Sequence, residues 1–245
     1  AIYEGVIPYA EEMPYAGPEV KSASVTISGS GPNGHISGGG GGRGNSGSGN
    51  QNGQNNSNNT NQTGNNDTFS DISEHWARQT IENMAKQNIV SGVGDGKFEP
   101  DREITRAEFC TIVCRAFEID NSDADNVFKD VESESWYKKY VNAAAKAGIV
   151  KGADGYFRPD DNINREEMAS IMMNILKYKN YELNNSKATL FADEDEISDW
   201  AKKAVEKLSG LGLLKGKDDG FKPKDNATRA EAATVIERLI QTIKL

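Results

Sequence analysis

Thr105-Arg106-Ala107-Glu108, Asn164-Arg165-Glu166-Glu167 and Thr228-Arg229-Ala230-Glu231 are near-copies of one tetrapeptide, and the residues around them recur at matched distances. Six residues before each Arg stands a proline, Pro100, Pro159 or Pro223. These close the stretches Gly96-Lys97-Phe98-Glu99-Pro100, Gly155-Tyr156-Phe157-Arg158-Pro159 and Gly220-Phe221-Lys222-Pro223. Further upstream, Gly92, Gly152 and Gly216 each lie 16 residues past a tryptophan, Trp76, Trp136 or Trp200. Each tryptophan follows a Phe-x-Asp, with its aspartate at Asp71, Asp130 or Asp193. Matched spacing at so many positions is internal repetition, and it delimits three units at 69–120, 128–180 and 191–245.

Each unit reads as helix-loop-helix. The first helix is expected to start near Ser73, Ser133 or Ser198, residues suited to an N-cap. Its apolar stripe is read as Trp76, Ile81, Met84, Ile89 in the first copy, Trp136, Val141, Ala144, Ile149 in the second, and Trp200, Val205, Leu208, Leu213 in the third. Gly148, Gly212 and Asn88 are expected in the left-handed conformation that ends a helix. In the second helix, apolar residues fall 3, 6, 7, 10 and 11 positions past the Arg, for example Met168, Ile171, Met172, Ile175 and Leu176. A stripe that wide needs a partner surface, and three copies supply one by packing together. The fold class expected is therefore all-α, with the second helices in a central bundle and the tryptophan-bearing helices outside. Phe98, Phe157 and Phe221 are read as core plugs.

Thr105 with Glu108, Asn164 with Glu167, and Thr228 with Glu231 are capping boxes, which explains those six residues structurally. Capping does not explain the arginines. A cation at the first helical position opposes the helix dipole at a cost of a few tenths of a kcal/mol. Two reasons are open. One is a salt bridge to a loop Asp or a first-turn Glu; the other is a two-part anion site made of guanidinium plus exposed first-turn amides. Trp76, Trp136 and Trp200 serve either the core or a sugar ring as a flat face. Gly92, Gly152 and Gly216 answer either a turn requirement or a close approach of backbone to ligand.

The remaining composition excludes several classes. Five of the 37 acidic and two of the 28 basic side chains precede residue 69, leaving 32 against 26 in the repeats. A surface of that sign has no field to attract nucleic acid. Cys110 and Cys114 share a helix face and read as small core side chains, not a disulfide. With two histidines in the chain and no ligand or calcium-loop spacing, no metal or other cofactor is expected. Neither is catalysis, since no nucleophile–base pair is evident. No apolar run reaches the 18 or so residues that a membrane span needs. Residues 28–68, almost entirely Gly, Asn, Ser, Gln and Thr, read as a disordered linker with a reach of roughly 35 Å. Residues 1–27 read as the tail of an upstream module or as unstructured.

The Phe-x-Asp…Trp entry, the Gly-x-Phe-x-Pro loop and the Thr-Arg-Ala-Glu signature together resemble the S-layer homology (SLH) family over residues 69 to about 243. The resemblance implies a pseudo-threefold arrangement of three repeats, with grooves between neighbours that bind secondary cell-wall polymer, a polysaccharide often carrying a pyruvate ketal on an amino sugar. It implies that Arg106, Arg165 and Arg229 grip the ketal carboxylate. It further implies a secreted protein anchored at the cell surface, with any self-association left to an upstream module. A protein-interaction scaffold is the alternative. Asn164-Arg165-Glu166-Glu167 departs from the signature, and Glu166 is expected to weaken or pre-pair the site at Arg165.

Overall fold

The second-helix stripes define the observed architecture. α2 (Arg106–Ala116), α4 (Arg165–Tyr178) and α6 (Arg229–Lys244) lie at the centre, α6 packed against both others. All the expected stripe residues on them are buried except Ala116, which is half-buried. In this computed structural model, residues 69–121, 126–183, 191–218 and 220–244 are described. The segment 1–27 and the linker expected over 28–68 lie outside the described residues.

The first helices are α1 (Arg78–Lys86), α3 (Lys138–Lys146) and α5 (Asp199–Gly210). Each packs not on the second helix of its own repeat but on that of the preceding one. α3 lies on α2, α5 on α4, and α1 closes the circle on α6. The thiols of Cys110 and Cys114 show the pairing directly: both are buried and free, and both donate to the carbonyl of Tyr140 in the next repeat. At the closing pair, the Thr80 hydroxyl donates to Glu237 across 2.6 Å. Among the described residues the fold is all-α, apart from a 3-10 turn at Glu194–Glu196 and isolated antiparallel bridges.

The C-terminal ends of the outer helices match the expectation. Asn88, Gly148 and Gly212 have φ of 58°, 70° and 71°. Around each, the two hydrogen bonds of a Schellman motif form, such as Ile149 N to Ala144 O and Gly148 N to Ala145 O. The N-terminal ends differ from it. α1 and α3 start after Trp76 and Trp136, capped by Ala77 and Tyr137, and not at Ser73 and Ser133. Tight turns precede them instead, Ile72 to His75 and Glu132 to Ser135. The His75 ring supplies the missing cap, its Nδ1 accepting from the Ala77 amide. Ser198 does stand at the N-cap of α5, but its side chain makes no cap hydrogen bond.

The Phe-x-Asp aspartates tie the loops down. Asp71 accepts from the amides of Phe98 and Glu99, Asp130 from Phe157 and Arg158, and Asp193 from Phe221 and Lys222. The second donor of each pair has a positive φ, 55°, 60° and 57°. The carboxylate therefore holds a backbone conformation that a non-glycine residue otherwise avoids. The phenylalanines beside it are fully buried, as expected of plugs.

Burial works to raise the Asp71 and Asp193 carboxyls, but the two amide hydrogen bonds on each outweigh it, holding both below the ordinary value. A value depressed in the folded state stabilises the fold fully above the unfolded value of about 4, and that stability is lost as pH falls through the folded values. The urea midpoint is thus expected to hold steady near neutrality and drop below about pH 4. Asp71→Ala should lower stability by about 2 kcal/mol at neutral pH and flatten part of that acid slope.

Candidate functional site

Each central helix begins at a hydrogen-bonded ring around the axis. Ile104 N donates to Ala227 O, Ala227 N to Ile163 O, and Ile163 N to Ile104 O, each at 3.0 Å. The circuit is closed, and all three residues are fully buried. Each repeat therefore touches both others before its second helix starts.

Beyond the ring, the first-turn amides are all taken. Arg106 N and Ala107 N donate to Asp161 O and Pro159 O of the next repeat. Arg165 N and Glu166 N donate likewise to Asp225 O and Pro223 O, and Arg229 N and Ala230 N to Arg102 O and Pro100 O. The third amide of each helix goes to its own Thr105, Asn164 or Thr228 side chain, so all three capping boxes are present. The exposed first-turn amides anticipated for an anion site are consequently not there. Carbonyls of the neighbouring loop cover them.

The arginines leave their own helix dipole and enter the next repeat. Arg106 donates from Nε to Phe157 O at 2.9 Å and from Nη2 to Lys151 O, while Nη1 lies 3.0 Å from Glu167. Arg165 does the same with Phe221 O, Lys215 O and Glu231, and Arg229 with Phe98 O, Ser91 O and Glu108. Each guanidinium also lies over the plug phenylalanine of the repeat it enters, 4.5 to 5.2 Å from the ring centre. The three arginine residues are 5–7 % exposed. Of the two open reasons for arginine, the ion pair to a first-turn glutamate is present, with the glutamate belonging to the neighbouring copy. Burial lowers the Arg106 and Arg229 guanidinium values, and the facing glutamates oppose that. At Glu108, burial is outweighed by the hydrogen bond from Arg102, together with the Thr105 amide and the charge of Arg229, and its carboxyl is held down.

These contacts regroup the candidate residues across repeats. One junction joins Arg106 to the loop at Lys151 and Gly152. The second joins Arg165 to the loop at Lys215 and Gly216, and the third Arg229 to the loop at Ser91 and Gly92. Side chains tie the start of an outer helix to two of these junctions: Ser198 meets Glu166, and His75 meets Asp101, the neighbour of the Pro100 that caps α6. At the α2–α3 junction the contact is one turn further on, from Cys110 and Cys114 to the Tyr140 carbonyl. Gly92, Gly152 and Gly216 follow the carbonyls that accept from the arginines at Ser91, Lys151 and Lys215. None has a positive φ. A Cβ on Gly152 would meet the Tyr156 carbonyl and the Phe128 ring, and one on Gly92 the Lys97 carbonyl and Phe69. The close approach is to the protein's own backbone. A cavity of about 410 Å³ between α1 and α6, at Met84, Gln87, Ile240 and Gln241, is lined by none of the candidate residues.

The tryptophans depart most from the expected stripes. Trp76 and Trp136 are 64 % and 59 % exposed, whereas Trp200 is half-buried against the core. Helices starting at residues 78 and 138 leave the first two on the preceding turns, off the buried face. The His75–Asp101 pair is not legible in the sequence, since a lone histidine before a helix carries no periodic signal. Nor are the inter-repeat partners Ser91, Lys151 and Lys215, which act through backbone carbonyls.

The S-layer homology domain matches the chain at residues 68–110, 127–169 and 190–233. The chain is 42 % identical over 176 residues to amylopullulanase of Thermoanaerobacterium thermosulfurigenes, covering 71 % of this chain and 10 % of that protein. It is 41 % identical over 176 residues to exoglucanase XynX of Acetivibrio thermocellus, covering 71 % and 16 %. To the S-layer protein sap of Bacillus anthracis it is 34 % identical over 173 residues, covering 70 % and 21 %. The chain thus spans between a tenth and about a fifth of the length of these curated relatives.

Removing a buried arginine strands a glutamate and two carbonyls, so Arg229→Ala should cost about 3–5 kcal/mol in urea unfolding. Arg229→Lys should recover only part of that, because an ammonium cannot span three acceptors in one plane. Gly152→Ala should cost about 1–3 kcal/mol through overpacking.

Proposed function

Since the chain belongs to the S-layer homology family, its repeats form a cell-wall anchoring module, and we propose that they hold an anionic, pyruvylated amino-sugar polymer at the repeat junctions. The same segment occurs in relatives named as enzymes and in relatives named as S-layer proteins. What they share is therefore a binding role and not a reaction, and we assign no catalysis to the repeats. The setting is extracellular, at the cell wall. No helix among the described residues is long and apolar enough to cross a membrane.

The observation that carries the reading is the exposure of Trp76 and Trp136 on the turns that lead into α1 and α3. A folded protein gains nothing by leaving a large aromatic face in water, and a flat apolar face with a polar edge suits the face of a sugar ring. The guanidinium at each junction is held rigid by three partners, and Arg has five N–H donors. Two donor positions remain on Arg106 and on Arg229 for a ligand carboxylate, in a plane already set by packing. Gly92 and Gly152 support this geometry indirectly by letting the loop close on the arginine.

A sedimentation assay of the full chain on purified cell-wall sacculi tests the reading. Mild acid stripping of ketals should abolish binding, and Trp76→Ala and Trp136→Ala should each weaken it roughly tenfold, about 1.4 kcal/mol, without changing the unfolding midpoint. Binding that survives both acid stripping and the double tryptophan variant would sink the proposal.

A further inference from the structure

The three junctions are not equivalent, and the difference is a buried carboxylate. Glu166, at the second position of α4, is 2 % exposed. It was expected to weaken or pre-pair the site at Arg165, and Arg165 itself pairs with Glu231. Glu166 turns instead to the start of α5. It accepts from the Ser198 amide at 3.0 Å and the Ser198 hydroxyl at 3.0 Å, and it is paired with the Lys224 ammonium. Lys224 also donates to the Ser198 hydroxyl oxygen. The carboxylate thus has an amide at a helix N-terminus, a hydroxyl and an ammonium, the set of donors a protein offers an anionic ligand.

In the other copies the residue equivalent to Glu166 is Ala107 or Ala230, and the residue equivalent to Lys224 is Asp160 or Asp101. The two positions differ together: alanine with aspartate at two junctions, glutamate with lysine at the third. A buried ion pair is weak evidence of added stability, since desolvation offsets most of its attraction. Stability alone therefore does not account for a carboxylate here where the sister sites place a methyl group. The third tryptophan follows the same division, since Trp200, at this junction, is the one that is half-buried.

We infer that Glu166 is an internal ligand, a carboxylate supplied by the chain that closes the α4–α5 junction, so that anionic glycan is taken only at the α2–α3 and α6–α1 junctions. The second clause rests on the function proposed above; the first stands on the contacts of Glu166 alone. An external carboxylate would have to displace a tethered one whose effective concentration is of the order of millimolar or higher. At the open junctions, Asp101 and Asp160 leave acceptors suited to sugar hydroxyls.

Two measurements on the full chain separate the clauses. Glu166→Ala should lower Tm, and sodium formate should restore it saturably relative to sodium chloride, with no such response in the wild type. Glu166→Gln keeps the shape and fills the site with an amide that cannot accept at both positions. It should fold, melt lower than wild type, and ignore formate. Absence of formate rescue in Glu166→Ala, or a formate response in Glu166→Gln equal to it, overturns the internal-ligand assignment. Calorimetric titration with a pyruvylated amino-sugar glycoside should give two equivalents for wild type and three for Glu166→Ala. Three equivalents for wild type, or an unchanged stoichiometry in the variant, overturns the closure. Formate rescue with no sugar bound by either protein upholds Glu166 as an internal ligand and overturns the glycan reading instead.

Discussion

The guanidinium of Arg106, Arg165 or Arg229 crosses into the next repeat, lies over a buried phenyl ring, and puts Nε and Nη2 on two carbonyls and Nη1 on a glutamate. Burying a cation costs several kcal/mol unless its donors are met. Here the partners at Nε, Nη1 and Nη2 all come from the neighbour, and that makes each repeat incomplete without the following one. Because repeat three follows round to repeat one, the dependence closes on itself. A linear array would leave one arginine without a loop and one loop without an arginine. Three copies in a ring leave neither, whereas open solenoids need dedicated caps at their ends.

The other repeated residues serve this arrangement. The capping-box glutamate has two tasks, closing its own helix on the Thr or Asn amide and receiving the arginine from the preceding repeat. The Phe-x-Asp carboxylate fixes the loop whose carbonyls cover the arginine's backbone, and the glycine at 92, 152 or 216 lets that loop close on itself. Left outside this arrangement are Trp76 and Trp136, displaced from the core by the late start of α1 and α3, and to these we assign the ligand contact.

Much of this was legible in the residues alone. Apolar stripes, Schellman ends at Asn88, Gly148 and Gly212, the three capping boxes, the phenylalanine plugs and the buried cysteines all follow from local period and local chemistry, which act within one copy. What was not legible is which copy a side chain meets. Matched spacing is identical whether Arg106 reaches its own loop or the next one, so pairing across repeats leaves no trace in it. The same limit hid the covering of the first-turn amides, since their acceptors are backbone carbonyls from another repeat. Trp76 and Trp136 fell on helical period with the core residues, but a stripe extrapolated past the real helix start no longer points at the core.

The ring also accounts for how the copies diverge. Arginine, aspartate and capping glutamate are structural in every repeat and recur in all three, while Glu166 and Lys224 sit just outside that set, where one junction can change without opening the ring. The central claim is closure, and native-state hydrogen exchange of the Ile104, Ile163 and Ala227 amides tests it most directly. In a closed ring no repeat can open alone, so all three amides should exchange with one common free energy, equal to that of global unfolding. If any one exchanges through a smaller opening while the other two stay protected, the repeats are separable units and the account is wrong.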